Sequence, residues 1–158
     1  MKDMAIEDLS RFLCEHPFFR GLPADHLATL VGCSSNTTFE SGEFLLREGA
    51  PADRWYLIRH GRVAVEVFVP GRGPVTVESL EADDVLGWSW LFPPYKAHFD
   101  ARALSLVRAL SLDGACLRTK CDTDPVLGYE LMRRFAPVLV QRLDATRTQL
   151  LDLYGSQP

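Results

Sequence analysis

Residues 87–103, GWSWLFPPYKAHFDARA, have the outline of a segment that can hold a small anion. Gly87 opens a stretch long enough for one helical turn, two prolines then mark a loop, and FDARA is typical of a strand. The first turn of a helix presents unpaired N–H groups and the positive end of a dipole to anions. The segment therefore predicts a cradle for a phosphate group, although Trp88 and Ala97 bring no charge to it.

The composition is that of an ordinary globular protein. The 158 residues suit one domain with a proper core, and the hydrophobic content of 47% and charged content of 24% are unremarkable for that class. A formal net charge of -4 disfavours a dedicated nucleic-acid binder, because phosphate contacts need a basic surface. No apolar run approaches the length of a membrane span, and the charged N-terminus is unlike a signal peptide. We therefore expect a cytoplasmic protein with no membrane contact.

The cysteines and histidines give no sign of a metal site. The cysteines form no C-x-x-C pair and are expected to be buried, reduced thiols, at Cys14, Cys33, Cys116 and Cys121. A cupin metalloenzyme, the alternative from another functional class, needs an H-x-H pair with a glutamate and a further histidine. Here the histidines are widely separated, and neither a nucleophile elbow nor a Walker loop is present. The sequence predicts no metal and no catalytic residue.

Short helices and then short strands precede the C-terminal part of the chain. Helical periodicity over residues 5–15 and a second short helix after Pro23 place N-terminal helices at about residues 5–33. From about 36 to 118 the sequence consists of short β-rich runs separated by turn residues. This pattern is typical of a sandwich, barrel or jelly roll. One run, RVAVEVFV, alternates as a half-buried strand would, with one side formed by Val63, Val65 and Val67.

Helices are expected from about residue 122 to residue 154. Asp122 or Asp124 can cap the first helix, and Pro125 suits a first turn. Pro137 falls inside the apolar pattern, where proline removes a helical hydrogen bond and clashes one turn back. We therefore predict a kink, or a break between two helices, at this proline.

The C-terminal helical segment has two apolar sides. One is formed by Leu131, Phe135 and Val138, which can pack onto the β-rich part of the same chain. The other follows a heptad spacing over three heptads, through Met132, Ala136, Leu139, Leu143, Thr146, Leu150 and Leu153. We call these seven residues the heptad stripe. Because two apolar sides suggest two partners, we favour a homodimer over packing of the stripe within one chain.

Three segments carry a resemblance to a known family. Residues 39–67 look like its first strands, with glycines where the turns require them. Residues 80–92, LEADDVLGWSWLF, match its approach to a phosphate-binding cassette, with Asp83 where the family usually has glycine. Residues 141–153 look like its long dimer helix. The sequence thus resembles the cyclic-nucleotide-binding domain of bacterial catabolite-activator and oxygen-regulator proteins, shared with regulatory subunits of protein kinase A.

The resemblance covers roughly residues 15–154 and implies the fold. It implies an α+β domain in which an antiparallel, jelly-roll-like β-roll is flanked by N-terminal helices and a long C-terminal helix. We expect a single domain over residues 1–158. The regulators of this family carry a helix-turn-helix domain after the long helix, and YGSQP stands where that domain would begin. We therefore expect a stand-alone domain that does not bind DNA directly.

The resemblance also assigns roles within the cassette. Counting from Gly87 without a gap, Trp88 replaces a glutamate that accepts hydrogen bonds from the ribose, Ala97 replaces the arginine that grips the cyclic phosphate, and His98 follows. Charge-assisted hydrogen bonds contribute about 1.5–3 kcal/mol each. Loss of both anchors then weakens binding by roughly two to four powers of ten. We expect a divergent cassette that does not bind cyclic AMP in the usual way, with some anion affinity left in the backbone amides.

Several residues leave other ligand contacts open. Lys96 and His98 flank the missing arginine and are substitute cations for a functional cyclic AMP or cyclic GMP sensor, although solvent exposure is the favoured interpretation for both. Trp90 is expected in the core, whereas Trp88 either plugs the pocket or stacks on a flat ligand. Thr146 stands where the activator branch contacts the base. The candidate ligand residues are Gly87, Trp88, Ser89, Trp90, Leu91, Lys96, Ala97, His98, Thr146 and Arg147.

Together these observations predict a regulatory or sensor domain that is not an enzyme. No cofactor is assigned, and a nucleotide-like or other small anionic ligand is the candidate. The expected partners are a second copy of the chain, through the C-terminal helix, and a protein that reads the state of the domain.

Overall fold

The computed structural model describes residues 2–155, with side chains from residue 8 onward. The helices are α1 (Lys2–Glu15), α2 (Ala24–Gly32), α3 (Gly114–Thr123) and α4 (Pro125–Gly155). The strands are β1 (Ser34–Phe39), β2 (Phe44–Leu46), β3 (Arg54–His60), β4 (Val63–Val69), β5 (Gly73–Leu80), β6 (Val85–Leu86), β7 (Asp100–Ala103) and β8 (Val107–Asp113). Two single 3₁₀ turns lie at Pro17–Phe19 and Ser89–Leu91. The last three residues of YGSQP lie outside the described residues.

The strands form two antiparallel four-stranded sheets. The first has the order β1-β8-β3-β6 and the second the order β2-β7-β4-β5. Apart from the consecutive strands β4 and β5, neighbours in each sheet are not consecutive in sequence. For example, β1 pairs with β8 from Ser34 opposite Leu112 to Phe39 opposite Val107. The predicted fold class, an antiparallel β-roll between N-terminal helices and a long C-terminal helix, is confirmed.

Two apolar cores lie on opposite faces of the first sheet. One joins the two sheets and includes Ile58, Val65 and Ala101. The other joins the first sheet to the helices, and at its centre Trp55 and Trp90 stack with ring centroids 5.4 Å apart. Phe135 of α4 meets the edges of both indoles, at 5.0 and 5.8 Å. This contact joins β3, the Ser89–Leu91 turn and α4, and it confirms that Trp90 and Phe135 are core residues.

The boundary between the β-roll and the C-terminal helices differs from the prediction. Strands were expected to about residue 118 and helix from residue 122, whereas β8 ends at Asp113 and α3 begins at Gly114. The cap is Asp113, whose carboxylate accepts a hydrogen bond from the backbone N–H of Cys116 at 3.0 Å. Because no proline interrupts residues 114–121, the helix can begin at this cap. It therefore starts before Asp122 and Asp124, the residues that were expected to cap it.

Pro137 does not divide the C-terminal helix. The predicted break is wrong, because α4 runs through Pro137 as one helix of 31 residues. Both Pro137 and Arg133, whose carbonyl loses its helical partner to the proline, are exposed, so water can take the place of the missing N–H. Burial of Leu131 and Phe135 on either side of this turn holds the helix on the core.

Strand β4 is buried on both sides rather than half-buried. Ala64 and Glu66 are as inaccessible as Val63 and Val65, whereas Val67 is half-buried. The Glu66 carboxylate accepts a hydrogen bond from Nε of Arg102 on the neighbouring β7 at 2.7 Å. The alternating sequence did not predict this arrangement, because a glutamate within a strand is normally expected on the side that faces solvent.

The cysteines also differ from the prediction of four buried thiols. Cys33 and Cys116 form a disulfide with a Cα–Cα distance of 6.2 Å, and Cys14 is exposed. The pair forms because β1–β8 pairing brings the end of α2 to the start of α3, where the Asp113 N–H donates to the Cys33 carbonyl at 2.8 Å. Burial, followed by the nearby acidic side chains, raises the pKa of Cys121 to about 11.

Candidate functional site

The segment 87–103 has the predicted outline of turn, proline loop and strand. Gly87 has φ +97°, the 3₁₀ turn Ser89–Leu91 follows, and the segment ends in β7. A Cβ on Gly87 would lie 3.3 Å from the Cβ of Trp55, so both the backbone angle and the space favour glycine. Asp83, predicted to adopt the left-handed region, has φ +74°. The backbone plan of a cassette is therefore present.

Trp88, at the first anchor position, packs against His98, the residue that follows the second anchor position. The Trp88 indole stacks on the His98 imidazole, with centroids 4.8 Å apart and an interplanar angle of 26°. His98 Nδ1 lies 2.8 Å from the hydroxyl oxygen of Ser89, which ties the end of the loop back to its first turn. Phe92 and Phe99 flank the indole at 5.7 and 6.2 Å. We call Trp88, Ser89 and His98 the cassette cluster.

A backbone ladder fixes the residues before His98. The Ala97 N–H donates to the Ala50 carbonyl and the Gly49 N–H donates to the Ala97 carbonyl, both at 2.9 Å. Ala97 is consequently buried against the cassette, while Lys96, which forms a bridge with Pro51, is exposed. The expectation that Lys96 points into solvent is confirmed, and the ladder opposes a loop shift that would bring it inward.

Very little space remains inside the cassette. The cavity between Gly87, Ser89, Trp90, Ala97 and His98 measures about 10 Å³. Ligand pockets usually measure about 300–1,000 Å³, and a single water needs at least about 10–15 Å³. This cavity is therefore too small for a nucleotide.

Two arginines at the cassette were missed by the sequence analysis. Arg54, at the start of β3, lines the small cavity. Arg118 of α3 lies 4.4 Å above the Tyr95 ring and donates to the Trp90 carbonyl at 3.0 Å, so α3 holds the proline loop. Arg54 lies within the resembling segment 39–67 but was given no role there, and Arg118 lies outside the three resembling segments. The position of β3 in the sheet and the early start of α3 bring these two residues to the cassette.

A match to a protein-family model identifies this architecture. The model for the cyclic nucleotide-binding domain matches residues 36–124, which include the whole cassette. The chain belongs to the cyclic nucleotide-binding domain family. It is 28% identical over 145 residues to a CRP-like cAMP-activated global transcriptional regulator of Mycobacterium tuberculosis, covering 92% of this chain and 63% of that protein.

Solved cyclic nucleotide-binding domains have the same architecture. A putative cyclic nucleotide-binding protein from Geobacter metallireducens matches with a TM-score of 0.74 and 28% identity, covering 88% of this chain and 98% of that one. A cyclic nucleotide-binding domain from Methylobacillus flagellatus matches with a TM-score of 0.76 and 20% identity, covering 95% and 84%. The second likeness concerns the fold alone.

The long helix of this cyclic nucleotide-binding domain contacts the β-roll through polar side chains. Arg142 lies with Nε 3.2 Å from the Glu78 carboxylate and also donates to the Val85 carbonyl, two residues before Gly87. Burial lowers the pKa of the Arg142 guanidinium. Further along α4, Gln149 donates to the Val77 carbonyl at 3.1 Å. These contacts hold α4 along β5 and next to the strand that enters the cassette.

The remaining predicted ligand residues do not join the cassette cluster. Thr146 and Arg147 are exposed on α4, and neither lines the cassette cavity. The Thr146 hydroxyl donates to the Arg142 carbonyl of its own helix at 2.8 Å. Leu91 is half-buried beside Trp90 in the helix-side core. A role for these three residues in ligand binding stays a prediction.

The heptad stripe faces outward. Six of its residues are exposed, including Met132 and Leu143 at 48% and 50%, and Leu139 is half-buried. The opposite side of the helix, through Leu131 and Phe135, is packed in the core as predicted. The stripe is therefore an apolar surface that its own β-roll leaves uncovered.

Neither a membrane span nor a metal centre is found where the structure describes the chain. From Lys2 to Gly155, every helix is too short or too polar to cross a bilayer. The described histidine, cysteine and acidic side chains form no group of three or more that could hold a metal ion.

Proposed function

We propose that this domain is a regulatory domain without enzymatic activity, in which the cyclic nucleotide cassette is rebuilt around Trp88 and His98. The observation that carries the proposal is the cassette cavity of about 10 Å³. The positions that anchor ribose and cyclic phosphate in the family hold an indole and a methyl group, and the indole stacks on His98. Neither cyclic AMP nor cyclic GMP would then bind in the family's usual way. A cyclic nucleotide sensor that uses substitute contacts is the alternative.

The natural chain is expected to give little heat with either nucleotide. Trp88 would have to leave its stack on His98 before a ribose could enter, and no carboxylate or guanidinium replaces the lost anchors at positions 88 and 97. Isothermal titration calorimetry with cyclic AMP and cyclic GMP, on protein first checked for co-purified nucleotide, measures this. A dissociation constant in the micromolar range or tighter would overturn the proposal and would point to His98, Lys96 or Arg54 as the substitute cation.

We further propose that two copies associate through α4. The heptad stripe offers a continuous apolar surface on a helix whose other side is already packed. Parallel association of two such helices would bury the stripe in knobs-into-holes contacts. A protein partner would then read the state of the dimer.

We treat residues 1–158 as a single domain and place it in the cytoplasm. The proposal rests on the mycobacterial relative, which is by name a transcriptional regulator. The Cys33–Cys116 pair is then expected to be reduced in cells, since cytoplasmic thiols are kept reduced. Its burial inside the helix-side core at Cys33 is compatible with either state.

No sequence-specific binding to duplex DNA is expected from these 158 residues. Their formal charge is -4, whereas duplex binding depends on a surface that neutralises phosphates. Fluorescence anisotropy with a palindromic duplex and a scrambled duplex, at physiological salt, should give the same flat titration for both. A protected footprint on the palindrome, or a marked preference for it over the scrambled duplex, would contradict this expectation.

A further inference from the structure

A second cavity lies on the helix-bearing face of the first sheet, away from the cassette. Thr38, Arg108 and His60 are direct partners across β1, β8 and β3. Partners in register point to the same face of an antiparallel sheet, so these three side chains form one row. The row lines a cavity of about 370 Å³ that contains no residue of the cassette.

A β-bulge adds a fourth polar side chain to this row. The register between β3 and β8 shifts between Ile58 and His60, so that Arg59 is the extra residue and lines the same cavity as His60. The Arg59 guanidinium lies 4.4 Å from the centroid of the Phe12 ring and donates to Oδ1 of Asn36 at 3.0 Å. Both contacts hold Arg59 in place before any ligand arrives.

The charge of this cavity is opposite to that of the chain. Its lining includes Arg59, Arg108 and His60, the amide of Asn36 and the hydroxyl of Thr38, with no carboxylate. Neither arginine forms an ion pair with any side chain that the structure describes, although the chain as a whole carries a net charge of -4. Two guanidinium groups without a carboxylate partner, together with the adjacent hydroxyl and amide donors, can bind an anion.

We propose that this sheet-face site binds a small phosphomonoester or inorganic phosphate. Arginine forks match phosphate oxygens with two parallel hydrogen bonds, and two of them complement a dianion better than a singly charged carboxylate. The cavity volume is near the lower end of the range for small-molecule pockets. A concave site of this size favours a small metabolite over a nucleic acid. The net negative charge of the chain also opposes nucleic-acid binding.

The site is tested by calorimetry of the full chain with inorganic phosphate and with glycerol 3-phosphate at constant ionic strength. The natural protein should show saturable binding of at least one of these. Arg108→Gln and Arg59→Gln should each weaken it by about tenfold or more, because each removes one charge-assisted contact. Arg72→Gln, the same change in the exposed β4–β5 turn, should leave the affinity within about twofold.

Melting temperatures of all variants separate loss of binding from loss of fold. Arg59→Gln also removes the contact with Phe12, so if this variant is destabilised, the result for Arg108→Gln tests the proposal. Absence of saturable binding by the natural protein would overturn the proposal. So would equal affinities of Arg108→Gln and Arg72→Gln, or binding of an acidic peptide or duplex at this face when both phosphates fail to bind. The result is independent of the cassette, because no cassette residue lines this cavity.

Discussion

Trp88→Glu combined with Ala97→Arg is expected to raise the affinity of the domain for cyclic AMP well above that of the natural chain. The change removes the indole from its stack on His98 and restores a carboxylate and a guanidinium at the two anchor positions. The backbone of the cassette is already in place, with Gly87 at φ +97° and Ala97 held by its ladder to Ala50. Two charge-assisted anchors should together raise the affinity by about two to four powers of ten.

The matched control is Trp88→Gln with Ala97→Gln, which opens the same space without the charges. Calorimetry should detect cyclic AMP binding by the charged double variant and much weaker binding by the amide double variant. Each single change should recover only part of the gain. If the amide variant binds as tightly as the charged one, then space, not charge, limits the natural cassette. If both double variants have the melting temperature of the natural chain and neither binds cyclic AMP, the backbone of the cassette cannot bind the nucleotide even with both anchors restored.

The turns and the order of elements could be predicted because they depend on local chemistry. Gly61 illustrates this: its φ is +94°, and a Cβ there would meet the Leu106 carbonyl oxygen at 2.2 Å, so no other residue fits without a shift. The glycine at 87 and the left-handed Asp83 follow the same logic. The cassette could therefore be identified from the sequence, and the two missing anchors could be located by counting residues from Gly87.

The closure of the cassette could not be predicted, because it depends on contacts between distant segments. The stack of Trp88 on His98 needs the hydrogen bond from the loop to Ser89 and the ladder between Ala97 and Ala50. The sequence left open whether Trp88 plugs the site or receives a ligand. The start of α3 was missed for a related reason: Asp113 is the last residue of a strand and also the cap of a helix, and periodicity alone assigns it to one element.

One contact links the long helix to the strand that enters the cassette, and it would connect the proposed dimer interface to the cassette. Arg142 is paired with Glu78 and donates to the carbonyl of Val85, which lies on the strand that enters the cassette. Leu143, the next residue, belongs to the heptad stripe and is half exposed. A change in the packing of the stripe at Leu143 would therefore affect the adjacent Arg142 and its contact with β6.

The second large effect is expected from Leu143→Glu, which should convert a dimer into a monomer. In a parallel pair of α4 helices, Leu143 of each copy lies near the middle of the heptad stripe, so the variant would place two like charges in an apolar seam. Burial of unpaired charges costs several kcal/mol, which corresponds to a rise of at least about a hundredfold in the dimer dissociation constant. Light scattering coupled to gel filtration, at tens of micromolar, measures the mass of both proteins.

Leu151→Glu provides the matched control for this change. Leu151 lies on the same helix, is more exposed than Leu143, and falls outside the heptad stripe. The same charge at position 151 should leave the dimer intact, because the side chain turns away from the seam by about a quarter turn of a helix with 3.6 residues per turn. A natural chain that is monomeric at tens of micromolar would contradict the proposed dimer outright. Dissociation by both variants would instead assign the interface to a broader surface of α4 than the stripe, because position 151 would then have to lie within the contact.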